Sequence, residues 1–78
     1  MTDAVFDTVR DCAVEVLQVA PDEVTEDAVF TEHLGATSLT LVELIMAIEE
    51  ASGVDLPDTG VESVRTVRDA CELVRGRL

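Results

Sequence analysis

The sequence predicts an all-α bundle of three to four helices, and three observations carry that expectation. Apolar residues recur at helical spacing in three separate stretches. No segment alternates apolar and polar residues with the period of two that a half-buried strand shows. Breakers and caps fall at the edges of those stretches: Pro21, Gly53 and Thr66. At 78 residues the chain makes a single domain, residues 1–78. It is 47% apolar, enough to fold despite its charge. Phe6 and Phe30 are its only aromatic residues, so aliphatic side chains must build the core.

The first helix is expected over residues 3–18. Val5, Val9, Cys12, Ala13, Val16, Leu17 and Ala20 share one face, Asp3 and Asp7 suit the positive end of the helix dipole, and Pro21 ends it. Residues 20–37 show no sustained period and read as a long loop. Loops of that length are functional or anchored, and Val24, Val29, Phe30 and Leu34 are the expected anchors. A second helix is expected over residues 38–52 with Gly53 as its stop. Leu41, Leu44, Ile45 and Ile48 form its main apolar face, which Leu39, Val42 and Met46 widen. So wide an apolar surface predicts contact from several sides. The turn "GVDLPDTG" follows, then a short helical turn near Val61 and Val64. The last helix opens on a capping box, Thr66 with Asp69, and continues through Val67, Ala70, Cys71, Val74 and Leu78.

Charge narrows the function. The net charge is −12, with 17 acids against five arginines and no lysine. That excludes nucleic-acid binding through phosphate contacts and adsorption to anionic lipid. It steers the protein towards basic partner surfaces. Four of the arginines (Arg65, Arg68, Arg75 and Arg77) lie in residues 64–78, so such a partner should dock away from the last helix. No apolar run reaches the roughly 20 residues that span a bilayer. No basic region precedes an apolar run at the N-terminus, so no signal peptide is expected and the location expected is cytoplasmic. Cys12 and Cys71 show no CxxC pattern and read as buried small hydrophobes.

Ser38 is the residue that asks for an explanation. By residue type alone it is an N-cap. It also follows a glycine turn, and it stands at the positive end of a helix dipole, where an attached phosphate is stabilised. A hydrolase would need a base and an orienting acid. His33 is the single histidine, and "GATSL" lacks the G-x-S-x-G elbow, so His33 reads as a solvated loop residue. One histidine and two distant cysteines give no zinc site, and "DEVTED" lacks the glycine of a calcium loop, so no dedicated metal site is expected.

The ordered set "LQVAPDEVT", "FTEHLGATSLTLVELIMAIEEASGVDLPD" and "TVRDACELV" resembles the acyl carrier proteins over nearly the whole chain. The resemblance implies a four-helix bundle whose short third helix lies around residues 61–64. It implies that Ser38 carries 4'-phosphopantetheine, delivered from coenzyme A by a phosphopantetheinyl transferase, and that the arm's thiol holds acyl groups. The protein would then be a carrier without catalytic residues. The family's recognition helix corresponds to residues 38–51. Glu43, Glu49 and Glu50 match its docking acids, Leu39 and Met46 its apolar contacts, and Thr37 flanks the serine. The partners implied are that transferase and acyltransferases, ketosynthases or tailoring enzymes with basic patches, met by a monomer. Leu44, Ile48, Leu56 and Val64 are the expected lining of an acyl-chain pocket.

Two departures from the family pattern bear on pathway. The residue before the serine is usually Asp and here is Thr37; the residue before Leu-Gly is often acidic and here is His33. Both remove negative charge beside Ser38. They favour a free-standing carrier in a polyketide-type or other specialised pathway. The alternatives are a carrier of primary fatty acid synthesis, a peptidyl carrier, and, in a different class, an unmodified acidic adaptor.

Overall fold

Helix α1 spans Ala4–Leu17 in this computed structural model, which describes residues 3–57 and 60–78. Asp3 caps it: Oδ1 accepts from the amides of Val5 and Phe6 at 3.1 and 3.2 Å. The other oxygen of Asp3 pairs with Arg75 of the last helix, so the cap also ties the two chain ends together. The face carrying Val9, Cys12 and Ala13 is buried. The helix stops at Gln18, which adopts a left-handed conformation at φ 56°. A side chain there costs about 1 kcal/mol that glycine would not.

The long crossover is more structured than its composition suggests. Pro21–Glu23 form one 3-10 turn, closed by Glu23 Oε1, which accepts from the Ala20 amide at 3.2 Å. A four-residue helix, α2, follows at Phe30–His33. Four residues are too few to express a helical period, and so the sequence gives no sign of it. The expected anchors are in place: Val24, Phe30 and Leu34 are buried and Val29 half-buried. What pins them is backbone. Val29 forms an isolated antiparallel bridge with Thr66. The Phe30 amide donates to Arg65 O, the Val67 amide to Ala28 O and the Arg68 amide to Glu26 O, at 2.9–3.0 Å. The Arg68 guanidinium adds ion pairs to Glu26 and Asp27.

Helix α3 runs Ser38–Ser52 and ends on Gly53 at φ 72°, the bounds the sequence implies. It lies against α1. Leu44 and Ile48 are fully buried, with Leu41 and Ile45 nearly so. The wider apolar face is not covered. Leu39 is 69% and Met46 61% exposed, against the expectation of contact from several sides. A bundle this small has no further element to lay over that face.

The short helix α4, Gly60–Ser63, follows the turn segment. Asp58, the last residue of the "DLPD" run, and Thr59 after it lie outside the described residues. Helix α5 spans Val67–Arg75. Its capping box is as expected: Thr66 Oγ1 accepts from the Asp69 amide, and Asp69 Oδ2 accepts from the amides of Thr66 and Arg65, all at 3.1 Å. Leu78 does not continue the apolar face. The helix ends at Arg75 and Leu78 is 76% exposed. Its spacing fits a helix that Gly76 cuts short. Five α-helical segments occur among the described residues, three of them long, and no strand. Every fully buried side chain among them is apolar.

The capping box makes a pH prediction. Backbone hydrogen bonds from Thr66, and then Arg65, hold the Asp69 carboxyl below its ordinary value of 3.8 against an opposing desolvation. A depressed carboxylate contributes stability above its unfolded pKa and loses it as pH falls through the folded value. Asp69→Asn should therefore lower the melting temperature at about pH 7, and the gap to wild type should narrow on acidification below about pH 3.8. Thermal melts across that range check it; a gap constant with pH would mean that the carboxylate form gives nothing to the cap.

Candidate functional site at the start of α3

The site begins with a correction to the residue-type reading. Ser38 is the first residue of the helix, and Thr37 is its cap. Thr37 Oγ1 accepts from the Thr40 amide at 3.3 Å, while the Thr37 amide donates to Thr40 Oγ1 at 2.7 Å. The two threonines satisfy each other across the first turn. Ser38 is exposed, and among the described residues its hydroxyl has no hydrogen-bond partner. It is therefore free for chemistry without loss of the cap. The turn before it is held by Gly35 at φ 68° and by the Ala36 amide, which donates to Phe30 O at 2.9 Å.

The electrostatics suit an attached phosphate. The first turn of α3 holds no acid, so nothing offsets the positive end of the helix dipole. The start of α3 would favour the negative charge of a phosphodiester held on Ser38.

The site is not a hydrolase. His33 ends α2, and its Nδ1 accepts from the Val29 amide at 2.7 Å. That bond turns Nδ1 to the backbone of α2, and no hydrogen bond joins His33 to Ser38 among the described residues. His33 is thus a cap for α2, a role that sequence reasoning missed because α2 itself was not visible. No thiol substitutes as nucleophile. Burial pushes Cys71 up to about 11, and burial, then Glu15 and Asp11, raise Cys12. Both remain protonated and both are buried. Among the described residues no three His, Cys, Asp or Glu side chains converge on a point. Nor is any helix among them long and apolar enough to cross a membrane.

The surface along α3 divides into two flanks. Leu39, Glu43, Met46 and Glu50 are exposed and follow one another at spacings of four, three and four, which places them on one stripe. Glu49 sits apart. It is half-buried, and its Oε2 accepts from the Leu56 amide at 3.0 Å.

On that second flank lies a cavity of about 220 Å³, lined by Val42, Ile45, Met46, Glu49, Leu56, Pro57 and Val61. It opens one turn along α3 from Ser38. Of the four residues expected to line an acyl-chain pocket, the structure brings only Leu56 here. Leu44 and Ile48 are wholly enclosed in the core, and Val64 is 3% exposed. The cavity runs along Val42, Ile45 and Glu49, a rotation of about 100° from the row Leu41, Leu44 and Ile48. Those three at i, i+3 and i+7 were legible as a row, but nothing in the sequence says which row is covered.

Comparison with known proteins agrees with this site. Residues 7–74 match the family model described as the phosphopantetheine attachment site. The acyl carrier protein of Sulfurovum sp. (strain NBC37-1) is 49% identical over 71 residues, covering 91% of this chain and 95% of that protein. The acyl carrier protein of Wolinella succinogenes is 44% identical over 71 residues, 91% of this chain and 93% of that one. That of Zymomonas mobilis is 47% identical over 66 residues, 85% of each. An open serine hydroxyl, a helix start without acids and similarity along most of the chain lead to one statement: the protein belongs to the acyl carrier proteins, which bear a phosphopantetheine arm and act as carriers, not catalysts.

Proposed function

We propose that this chain carries acyl intermediates on 4'-phosphopantetheine esterified to Ser38 Oγ, in a polyketide-type or other specialised pathway. The observation that supports the attachment point is the exposed, unpartnered hydroxyl at the first residue of α3, with the cap held by Thr37. The arm supplies a thiol for the acyl thioester, which neither buried cysteine of the chain offers. The residues of the chain position and present it. Thr37 and Thr40 fix the helix start, and the α3 amides favour the phosphodiester charge. Leu39 and Met46 give a partner an apolar contact, with Glu43 and Glu50 as the charges around it. A carrier must meet many enzymes and leave each one quickly. Long-range steering by the net charge of −12 raises association rates, and a narrow contact stripe keeps residence short. The partners of this reading are a phosphopantetheinyl transferase and acyl-processing enzymes with basic patches, met by a cytoplasmic monomer.

The specialised pathway rests on Thr37 and His33, which leave the surroundings of Ser38 short of negative charge. Primary fatty acid synthesis is the second reading, favoured by the aliphatic lining of the cavity beside α3. The variant Thr37→Asp separates them. Asp keeps the cap and restores the usual charge. On the specialised reading, a transferase from primary fatty acid synthesis loads Thr37→Asp about tenfold faster than wild type, the range of one charge-assisted contact. Equal loading of the two proteins would favour the primary pathway. Intact mass after timed incubation with coenzyme A reads both.

A further inference from the structure

The two flanks of α3 differ in what their carboxylates do. Glu43 and Glu50 stand in solvent on the exposed stripe. Glu49 reaches back instead, and its Oε2 accepts from the amide of Leu56 at 3.0 Å. Leu56 belongs to residues 53–57, the irregular link between α3 and α4, which has no backbone ladder of its own. Among the described residues, the Gly53 amide donates to Glu49 O at 2.9 Å and side-chain bonds hold the rest of the link. Ser52 Oγ donates to Ile48 O at 2.6 Å and accepts from the Val54 amide at 3.3 Å. Among the described residues, the Glu49 bond is the one made to the part of the link that forms the cavity wall, where Leu56 and Pro57 line it with Val42 and Ile45. Leu56 is a buried residue, so an amide there that loses its acceptor is left poorly solvated.

We propose that Glu49 is a latch on the cavity wall: through the Leu56 amide it holds residues 53–57 over the cavity beside α3, and so controls how well a tethered chain is sheltered there. It is a positioning residue, distinct in role from the docking carboxylates Glu43 and Glu50. What it supplies is an oxygen acceptor at a set reach; its negative charge is secondary. Only the consequence for a tethered chain rests on the carrier reading.

Reach and charge are separable by substitution. Glu49→Gln keeps length and an acceptor oxygen and loses the charge. Glu49→Asp keeps the charge and falls short by about 1.5 Å, beyond hydrogen-bond distance from Leu56. Glu49→Ala loses both. The first readout is amide hydrogen exchange of Leu56 by NMR on the protein without its arm. Exchange should rise about tenfold in the Asp and Ala variants and stay within about twofold of wild type in the Gln variant. The second is release of an octanoyl thioester by hydroxylamine from the loaded protein, which should accelerate about threefold in the same two variants and not in Glu49→Gln or in Glu72→Gln, an exposed carboxylate of α5. The inverse order, with Gln altered and Asp like wild type, would overturn the proposal and make Glu49 a docking charge. No change in any Glu49 variant would overturn it too. Should the arm fail to load on wild type, the carrier reading falls, while Leu56 exchange still decides the latch.

Discussion

Ser38→Ala should take up no phosphopantetheine, while wild type gains one group per chain. The measurement is intact mass after incubation with coenzyme A and a broad-specificity phosphopantetheinyl transferase. The effect is all-or-none because the hydroxyl oxygen itself becomes the ester. The substitution is also clean. Ser38 is exposed, its hydroxyl makes no hydrogen bond among the described residues, and Thr37 holds the cap. Alanine at the first helical position costs little, so stability should stay within about 0.5 kcal/mol of wild type. Thr37→Ala is the useful contrast. It should cost about 1 kcal/mol through the lost cap and yet still accept the arm. A wild-type protein that folds and gains no mass would leave Ser38 as a helix residue without cargo, and would return an acidic adaptor as the working reading. A Ser38→Ala protein that still gains mass would place the attachment elsewhere.

Phe30→Ala should produce the largest loss of stability of any single truncation. Phe30 is fully buried and is the largest such side chain in the core. Its removal leaves a cavity that an aliphatic core of this size cannot refill, for a cost of about 3–5 kcal/mol. A domain that buries only about 60% of its unfolded surface stands near the low end of the usual 5–15 kcal/mol. The variant should therefore be partly unfolded at working temperature. Its melting point should fall by about 12–40 °C, taking 4–8 °C per kcal/mol for a domain of this length. The effect should extend to the candidate site. The Phe30 amide donates to Arg65 O, and Phe30 O accepts from the amides of Leu34 and Ala36, just ahead of Ser38. Loosening Phe30 releases the turn that presents the serine. Thr31→Ala, at an exposed neighbour in the same short helix, should change stability by less than about 0.5 kcal/mol. Urea unfolding of the three proteins checks it. A small loss at Phe30 would mean that the crossover is held by its backbone bonds alone.

The long helices and their ends, the close of α5 apart, were legible because their signals are local. The cap and box at Thr66 and Asp69, the stop at Gly53 and the rows Val9–Cys12–Ala13 and Leu41–Leu44–Ile48 each lie within a few residues, and the physics that reads them acts over one or two turns. The candidate serine was legible for the same reason: a glycine turn, a hydroxyl and a helix start are contiguous. Its cap was misplaced by one residue, since Thr37 and Ser38 are both good caps and only the backbone, extended at Thr37 and helical at Ser38, chooses between them.

What the tertiary structure alone decided is where distant segments meet. The crossover is held by bonds from Glu26, Ala28 and Phe30 to residues 65–68, pairings across almost half the chain that no periodicity encodes. The row of α3 that borders the cavity walled by Leu56 and Pro57, and the turn of Glu49 towards Leu56 while Glu43 and Glu50 stay exposed, depend on where the link at residues 53–57 comes to rest. The sequence by itself determined an all-α, strongly acidic domain with one open serine at a helix start. The covering of each helix face was settled by packing, because burial is a property of neighbours and not of the residue that is buried.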